Sequence, residues 1–166
     1  EERHMVRIRQ NDWVKRKSEV WNTYRGLFAQ STKTITVMSS YFLPGRTFRR
    51  LLSKAAKNGV VVKVILAGKS DVWLSKNAER YLYDYLLKNK IEIYEFQKTV
   101  LHAKISVADS HIVTVGSFNV NNISAHASLE LNLDIKNKDF GGYVQDELDK
   151  VIINDCSRVT EENYSS

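Results

Sequence analysis

Residues 102–119 read HAKISVADSHIVTVGSFN, and they set a histidine, a lysine, an aspartate and an asparagine among apolar residues of the kind that build sheet interior. Two β-rich runs, 101–108 and 112–117, are parted only by a short polar turn containing Asp109 and Ser110, which predicts a hairpin. On a strand beginning near Leu101, period-two alternation sends His102, Lys104 and Ser106 to one face and Ala103, Ile105 and Val107 to the other. Imidazole and ammonium then point together. Asn119 follows the partner strand after Gly116 and Ser117, so strand pairing brings its amide toward the same place.

Downstream, LELNLDI at 129–135 alternates strictly, and the expected core face is Leu129, Leu131, Leu133 and Ile135. Glu130, Asn132 and Asp134 form the polar face, with Glu130 at its start. Upstream, helical stripes alternate with β-rich runs. Val20, Trp21, Tyr24, Leu27 and Phe28 precede TITVMSS at 34–40; Phe48, Leu51, Leu52, Ala55 and Ala56, stopped by Asn58 and Gly59, precede VVVKVILA at 60–67. Trp73, Leu74, Ala78, Tyr81, Leu82, Tyr85 and Leu86 then precede IEIYEF at 91–96. This rhythm predicts an α/β domain with a mixed, mostly parallel sheet flanked by helices on both faces. A last helix carries Phe140, Val144, Leu148, Val151 and Ile152, and a polar tail is expected over 157–166.

A chain of 166 residues, 43% apolar, suffices for one packed core, so 1–166 is read as a single domain. Its 25 Lys and Arg against 19 Asp and Glu, a net +6, attract polyanions: nucleic acid, an anionic membrane surface or a phosphorylated substrate. The basic clusters are Lys15, Arg16 and Lys17, then Arg46, Arg49 and Arg50; each reads either as a solvated face or as a functional surface. Cys156, the one cysteine, excludes an internal disulfide and a CxxC metal site, and reads as a bystander near the last helix. No apolar run approaches a bilayer span, and EERHMVRIRQ is neither a signal nor a transit peptide. The missing initiator methionine hints at a fragment of something longer.

The spacing His-x-Lys-x4-Asp followed by Gly-Ser-x-Asn, at His102, Lys104, Asp109, Gly116, Ser117 and Asn119, resembles the signature of the phospholipase D superfamily. SYFLPGRTFRRLLSKAAKNGVVVKVILAGKSD at 40–71, with the LHAK and LELNLDI strands, resembles the second half of bacterial cardiolipin synthases. Within that stretch Tyr41, Phe42 and Pro44 either pack a strand-to-helix corner or line the substrate site. The resemblance implies a catalytic set of His102, Lys104, Asp109, Asn119 and Glu130, with Lys104, Ser117 and Asn119 binding phosphate. Asp109 is the member expected to support local structure more than to touch substrate. No metal and no cofactor are implied. Glu130 sits where the family places its histidine-orienting acid, whereas Ser128 stands where many relatives carry asparagine.

The chemistry follows from these residue types. A phosphodiester is anionic and resists attack, so Lys104 and Asn119 are expected to quiet its oxygens while His102, oriented by Glu130, attacks phosphorus to give a phosphohistidine. A second acid must protonate the leaving alcohol, and the family takes it from a second copy of the motif. His4, His111 and His126 lack that spacing and read as surface or turn residues. The domain is therefore expected to hold half of a site, completed by an upstream phospholipase D-like half or by a second copy of the domain. The leading expectation is phosphatidyl transfer to an alcohol from an anionic, phosphatidylglycerol-like phospholipid. That would take place at the cytoplasmic side of the bacterial inner membrane, peripherally or through an anchor absent from this chain. The competing expectations are a metal-independent homodimeric phosphodiesterase or endonuclease acting on nucleic acid, and a non-catalytic interaction module.

Overall fold

The computed structural model describes residues 5–69 and 73–164. His4 and the side chains of Trp73, Leu74 and Ala78 lie outside the described residues. A hairpin not anticipated above opens the described chain: β1 (Met5–Asp12) and β2 (Lys17–Ser18). Its signal is the alternation of Val6 and Ile8 with Arg7 and Arg9. Then follow α1 (Glu19–Gln30), β3 (Thr34–Ser39), α2 (Arg46–Lys57), β4 (Val61–Ala67), α3 (Trp73–Lys88) and β5 (Glu92–Phe96), at the places the periodicity gives. The hairpin of β6 (Lys104–Ala108) and β7 (Ile112–Gly116) leads through the one-turn α4 (Asn122–His126) to β8 (Leu129–Lys136), α5 (Lys138–Asp155) and β9 (Cys156–Val159).

The nine described strands join one mixed sheet in the order β2-β1-β8-β7-β6-β3-β4-β5-β9. The parallel part is smaller than expected: only β3–β4 and β4–β5 run parallel, and the other neighbours are antiparallel. Helical crossovers connect β3, β4 and β5, whereas the later strands are joined by a hairpin or return from the opposite end, which reverses their direction. The expected tail at 157–166 also begins as structure, because β9 pairs with β5 from Ile93↔Val159 to Phe96↔Cys156.

Helices cover both faces, unequally. α1, α2 and α3 bury Tyr24, Phe28, Phe48, Leu52, Tyr83 and Leu86 against Ile35, Val37, Val62, Val64 and Ile93. On the other face α5, alone among the described helices, sets Val144 and Leu148 on Met38, Ile65, Val107 and Val113. Two stripes turn from expectation: Tyr81 is exposed while Tyr83 is buried, its hydroxyl donating to Glu95 Oε1 at 2.7 Å, and Phe140 stands partly in solvent.

β8 inverts the expected pattern. Leu129, Leu131 and Leu133 face solvent, Leu131 at 55% exposure, while Asn132 is 1% and Glu130 9% exposed. The physical reason is coverage. α1 packs over β1 and β8 on the face carrying Asn132, and α5 packs on β5, β6, β7 and β9, leaving the leucine face bare. The buried polar groups are satisfied there: Asn132 Nδ2 donates to Thr114 Oγ1 at 3.0 Å, and Phe118 N donates to Asn132 Oδ1 at 3.3 Å. Tyr24, buried on the same side near Ser106 and Asn132, has its hydroxyl pKa pushed up to about 12 by burial.

Candidate active site

The C-terminal end of β3 and the N-terminal end of β6 meet at the register pair Ser39↔Lys104. Lys104 is the first residue of β6, so His102 lies just outside the strand instead of sharing its alternation. The segment is held by Ser40, whose backbone N–H and hydroxyl both donate to Ala103 O, at 3.1 and 3.3 Å. The imidazole is exposed, and its Nε2 lies 3.5 Å from Lys104 Nζ. An ammonium only donates, so Nε2 accepts from it in the neutral tautomer that carries the proton on Nδ1. Lys104 Nζ also donates to Ser40 Oγ at 3.4 Å, and among the described residues no carboxylate lies within ion-pair distance of it. Burial lowers the lysine's pKa from its ordinary value, with the charge of Glu130 opposing. The cation is thus costly until an anion arrives.

Asn119 reaches the same corner from beyond β7. Its Oδ1 accepts from Tyr41 N at 3.2 Å and from Ser39 Oγ at 3.4 Å, and among the described residues the amide NH2 has no acceptor and stands as the donor group. Glu130 departs from expectation. Its carboxylate accepts from Ser117 Oγ and, at 2.6 Å, from Ser128 Oγ, and among the described residues no hydrogen bond joins it to His102. Ser128 supplies one of the two hydroxyls that pin this acid. Ser117 also ties the strands, its N–H donating to Leu131 O at 3.1 Å and its Oγ accepting from Leu131 N at 3.0 Å.

Asp109 lies away from this corner. It follows the opposite end of β6, with φ 52°, and accepts from Thr32 N, Lys33 N and Thr34 N at 3.0, 2.8 and 2.9 Å and from Thr32 Oγ1 at 3.3 Å. Burial pushes its pKa upward, but the backbone donors outweigh this and hold it below the ordinary carboxylate value. It clamps the hairpin turn to the start of β3. His111 stands at that same far end, and His126 lies 6.2 Å from the Trp21 ring. Cys156 opens β9, its thiol pushed up to about 11 by burial, which keeps it protonated and inert at neutral pH.

Beside the corner opens a cavity of about 590 Å³ whose lining includes Tyr41, Leu43, Asn119, Ile123, Ser128 and Glu130. Tyr41 therefore lines the site, whereas Phe42 is fully buried, its N–H bonded to Glu79 Oε1 at 2.7 Å. Ser39 and Ser40 escaped the sequence reading. Their signal is a pair of small hydroxyl residues ending an otherwise apolar strand. Among the described residues no group of three or more His, Cys, Asp or Glu side chains is arranged to hold a metal ion.

The exposed histidine beside an unneutralised lysine, at one end of a mixed sheet with helices on both faces, defines a phospholipase D-like domain. The chain belongs to the family described as cardiolipin synthase, PLD-like domain, which matches residues 24–152. Cardiolipin synthase B of Salmonella typhi is 34% identical over 145 residues, covering 87% of this chain and 35% of that protein. Cardiolipin synthase B of Escherichia coli K12 is 32% identical over the same shares. The chain thus spans about a third of the length of these curated relatives. Among solved structures, Nuc of Salmonella typhimurium superposes with a TM-score of 0.79 at 16% identity, covering 96% of this chain and 100% of that one. The phosphatidylserine synthase of Haemophilus influenzae gives 0.77 at 16% identity, covering 94% and 40%.

Proposed function

We propose that this domain carries the nucleophilic half of a phosphatidyltransferase site. The observation that carries the reading is the exposed imidazole with its Nε2 3.5 Å from a half-buried ammonium. The Nε2 lone pair of His102 forms a bond to the phosphorus of a phosphatidylglycerol-like lipid, and the bond from phosphorus to the headgroup oxygen breaks. Lys104 and the Asn119 amide bind the non-bridging oxygens as their charge grows. The leaving oxygen takes its proton from an acid on the paired half. That group then accepts the proton of the incoming hydroxyl, whose oxygen bonds phosphorus as the N–P bond breaks. Asp109 keeps a structural role here, and Glu130, pinned by Ser117 and Ser128, supplies a fixed negative charge whose field reaches Lys104 without an ion pair.

The paired half, an upstream domain of the same kind or a second copy, is assigned to the bare leucine face. Val6 and Ile8 of β1 lie beside Ile135 and Leu133 of β8, and no lysine or arginine shares that side of these strands. Such a patch suits protein packing. The curated relatives named cardiolipin synthase favour an anionic phospholipid donor at a membrane surface, with a lipid hydroxyl as acceptor. No described helix is long and apolar enough to cross a membrane. A homodimeric phosphodiesterase would use the same groups with water as acceptor.

The test is incubation of the full-length protein with phosphatidylglycerol vesicles and mass spectrometry of the lipids. The expected result is cardiolipin with wild type and none with His102→Ala, together with an acid-labile phosphoryl adduct on the peptide containing His102. Turnover retained by His102→Ala would remove the nucleophile assigned above; hydrolysis without alcohol transfer would establish the phosphodiesterase.

A further inference from the structure

The turn joining β1 to β2 spans residues 13–16 and leaves the sheet at its catalytic end, since Asn11 pairs with Glu130 and Asp12 with Leu129. The turn is held from within. Asp12, 4% exposed, accepts from Lys15 N at 2.9 Å, and Arg16 takes the left-handed conformation, φ 54°, that closes it. Its base is locked as well: Asn11 Nδ2 donates to Ser124 O at 3.1 Å, and Asn11 Oδ1 accepts from Val20 N at 3.0 Å. This rigid frame presents Trp13 and Val14 to solvent, 59% and 68% exposed, with Lys15, Arg16 and Lys17 exposed immediately behind them. The nearby acids are already engaged, Asp12 with the turn and Glu19 with Gln10 N at 3.0 Å.

We propose that this hairpin tip docks the domain on an anionic lipid bilayer, Trp13 and Val14 entering the boundary between headgroups and acyl chains and the three cations lying among the phosphates. An indole beside an aliphatic residue, backed by cations, matches the layering of that boundary, apolar within and anionic outside. Along β1 and β8 the bare leucine face carries no lysine or arginine, and the cations gather at its catalytic end, in the turn and β2. A second copy of this chain is a poor occupant of the tip, because each brings a net +6 and identical tips repel. The tip and the cavity lined by Asn119 and Glu130 share one end of the sheet, so docking brings lipid headgroups toward His102. The inference rests on the lipid-transfer reading for its substrate, but it is measured without turnover.

The experiment is flotation of the chain with vesicles of phosphatidylcholine alone and of phosphatidylcholine mixed with phosphatidylglycerol, at low and high ionic strength. Wild type is expected to favour the anionic vesicles, more so at low salt. Lys15→Ser with Arg16→Asn and Lys17→Ser is expected to lose about 10²-fold in anionic binding, at about fivefold per cation. Trp13→Ser with Val14→Ser is expected to lose about tenfold or more on both vesicles, and Trp13→Phe with Val14→Ile to keep binding. His102→Ala floats like wild type, which separates docking from catalysis. The proposal is overturned if wild type ignores anionic vesicles or if both tip variants bind unchanged. It is equally overturned if Trp13→Ser with Val14→Ser abolishes self-association or single-stranded DNA binding instead of vesicle binding.

Discussion

Gly116→Ala tests the claim that β7 and β8 hold the site by close backbone approach. A Cβ at 116 would sit 2.1 Å from Leu131 O, 2.5 Å from Asn132 Oδ1 and 2.7 Å from Asn132 Cα. Two of these are backbone atoms of β8, so no side-chain rotation relieves the clash, and the strands must part locally by about 1 Å. Overpacking of this kind costs about 1–3 kcal/mol. Parting also strains both bonds between Ser117 and Leu131, worth about 1 kcal/mol each. A total of about 3–5 kcal/mol, at about 2–4 °C per kcal/mol for a chain of this size, lowers Tm by about 6–20 °C. Gly142→Ala is the matched control. Gly142 lies inside α5 with open space around its missing Cβ, so alanine gains about 0.5–1 kcal/mol of helix propensity and raises Tm by about 1–4 °C. Thermal unfolding followed by circular dichroism reads both. A Gly116→Ala chain that melts with wild type refutes the close-approach argument and, with it, the strand coupling that pins Glu130 through Ser117.

Asp109→Asn should cost about 1–2 kcal/mol at neutral pH, the lower part of the range for bonds to a charged acceptor because the site is partly solvated. Since the folded carboxylate's pKa is lowered, wild type's advantage is present above the ordinary value of about 3.9 and fades as pH falls through the folded pKa; urea titrations of both chains across acid pH should converge, and a constant gap would contradict the clamp. Asn119→Ala should slow transfer in the full-length protein by about 10²–10³, read as initial rates of cardiolipin formation, and a rate within threefold or so of wild type would remove the amide from phosphate binding. Ile8→Asp, at a side chain open to solvent, should leave the melting profile of the chain unchanged yet weaken its titration against the second half by about tenfold or more. Equal affinity would take the leucine face out of the pairing surface.

Much of this molecule was legible in order along the chain. The stripes from Val20 to Leu86 place α1, α2 and α3, and the β-rich runs place β3, β4 and β5, because burial on one face imposes a period of 3.6 or 2 wherever the chain crosses the core. His102, Lys104, Ser117, Asn119 and Glu130 gather at one end of the sheet largely through a hairpin, a contact local enough to be read from spacing. Ser39 and Ser40 were not legible in the same way, because they arrive more than sixty positions away through the pairing of β3 with β6.

The sequence by itself determined the alternation, the four longer helices, the motif and the basic cluster at 15–17, all of which depend on neighbours within a few residues. The tertiary structure alone decided which face of β8 is inside, since two-residue periodicity names two faces without ranking them and the position of α1 and α5 settles the matter. It also brought Asp109, which the sequence already sets in the hairpin turn, onto the backbone of Thr32, Lys33 and Thr34, because β3 pairs with β6 across more than seventy positions of chain.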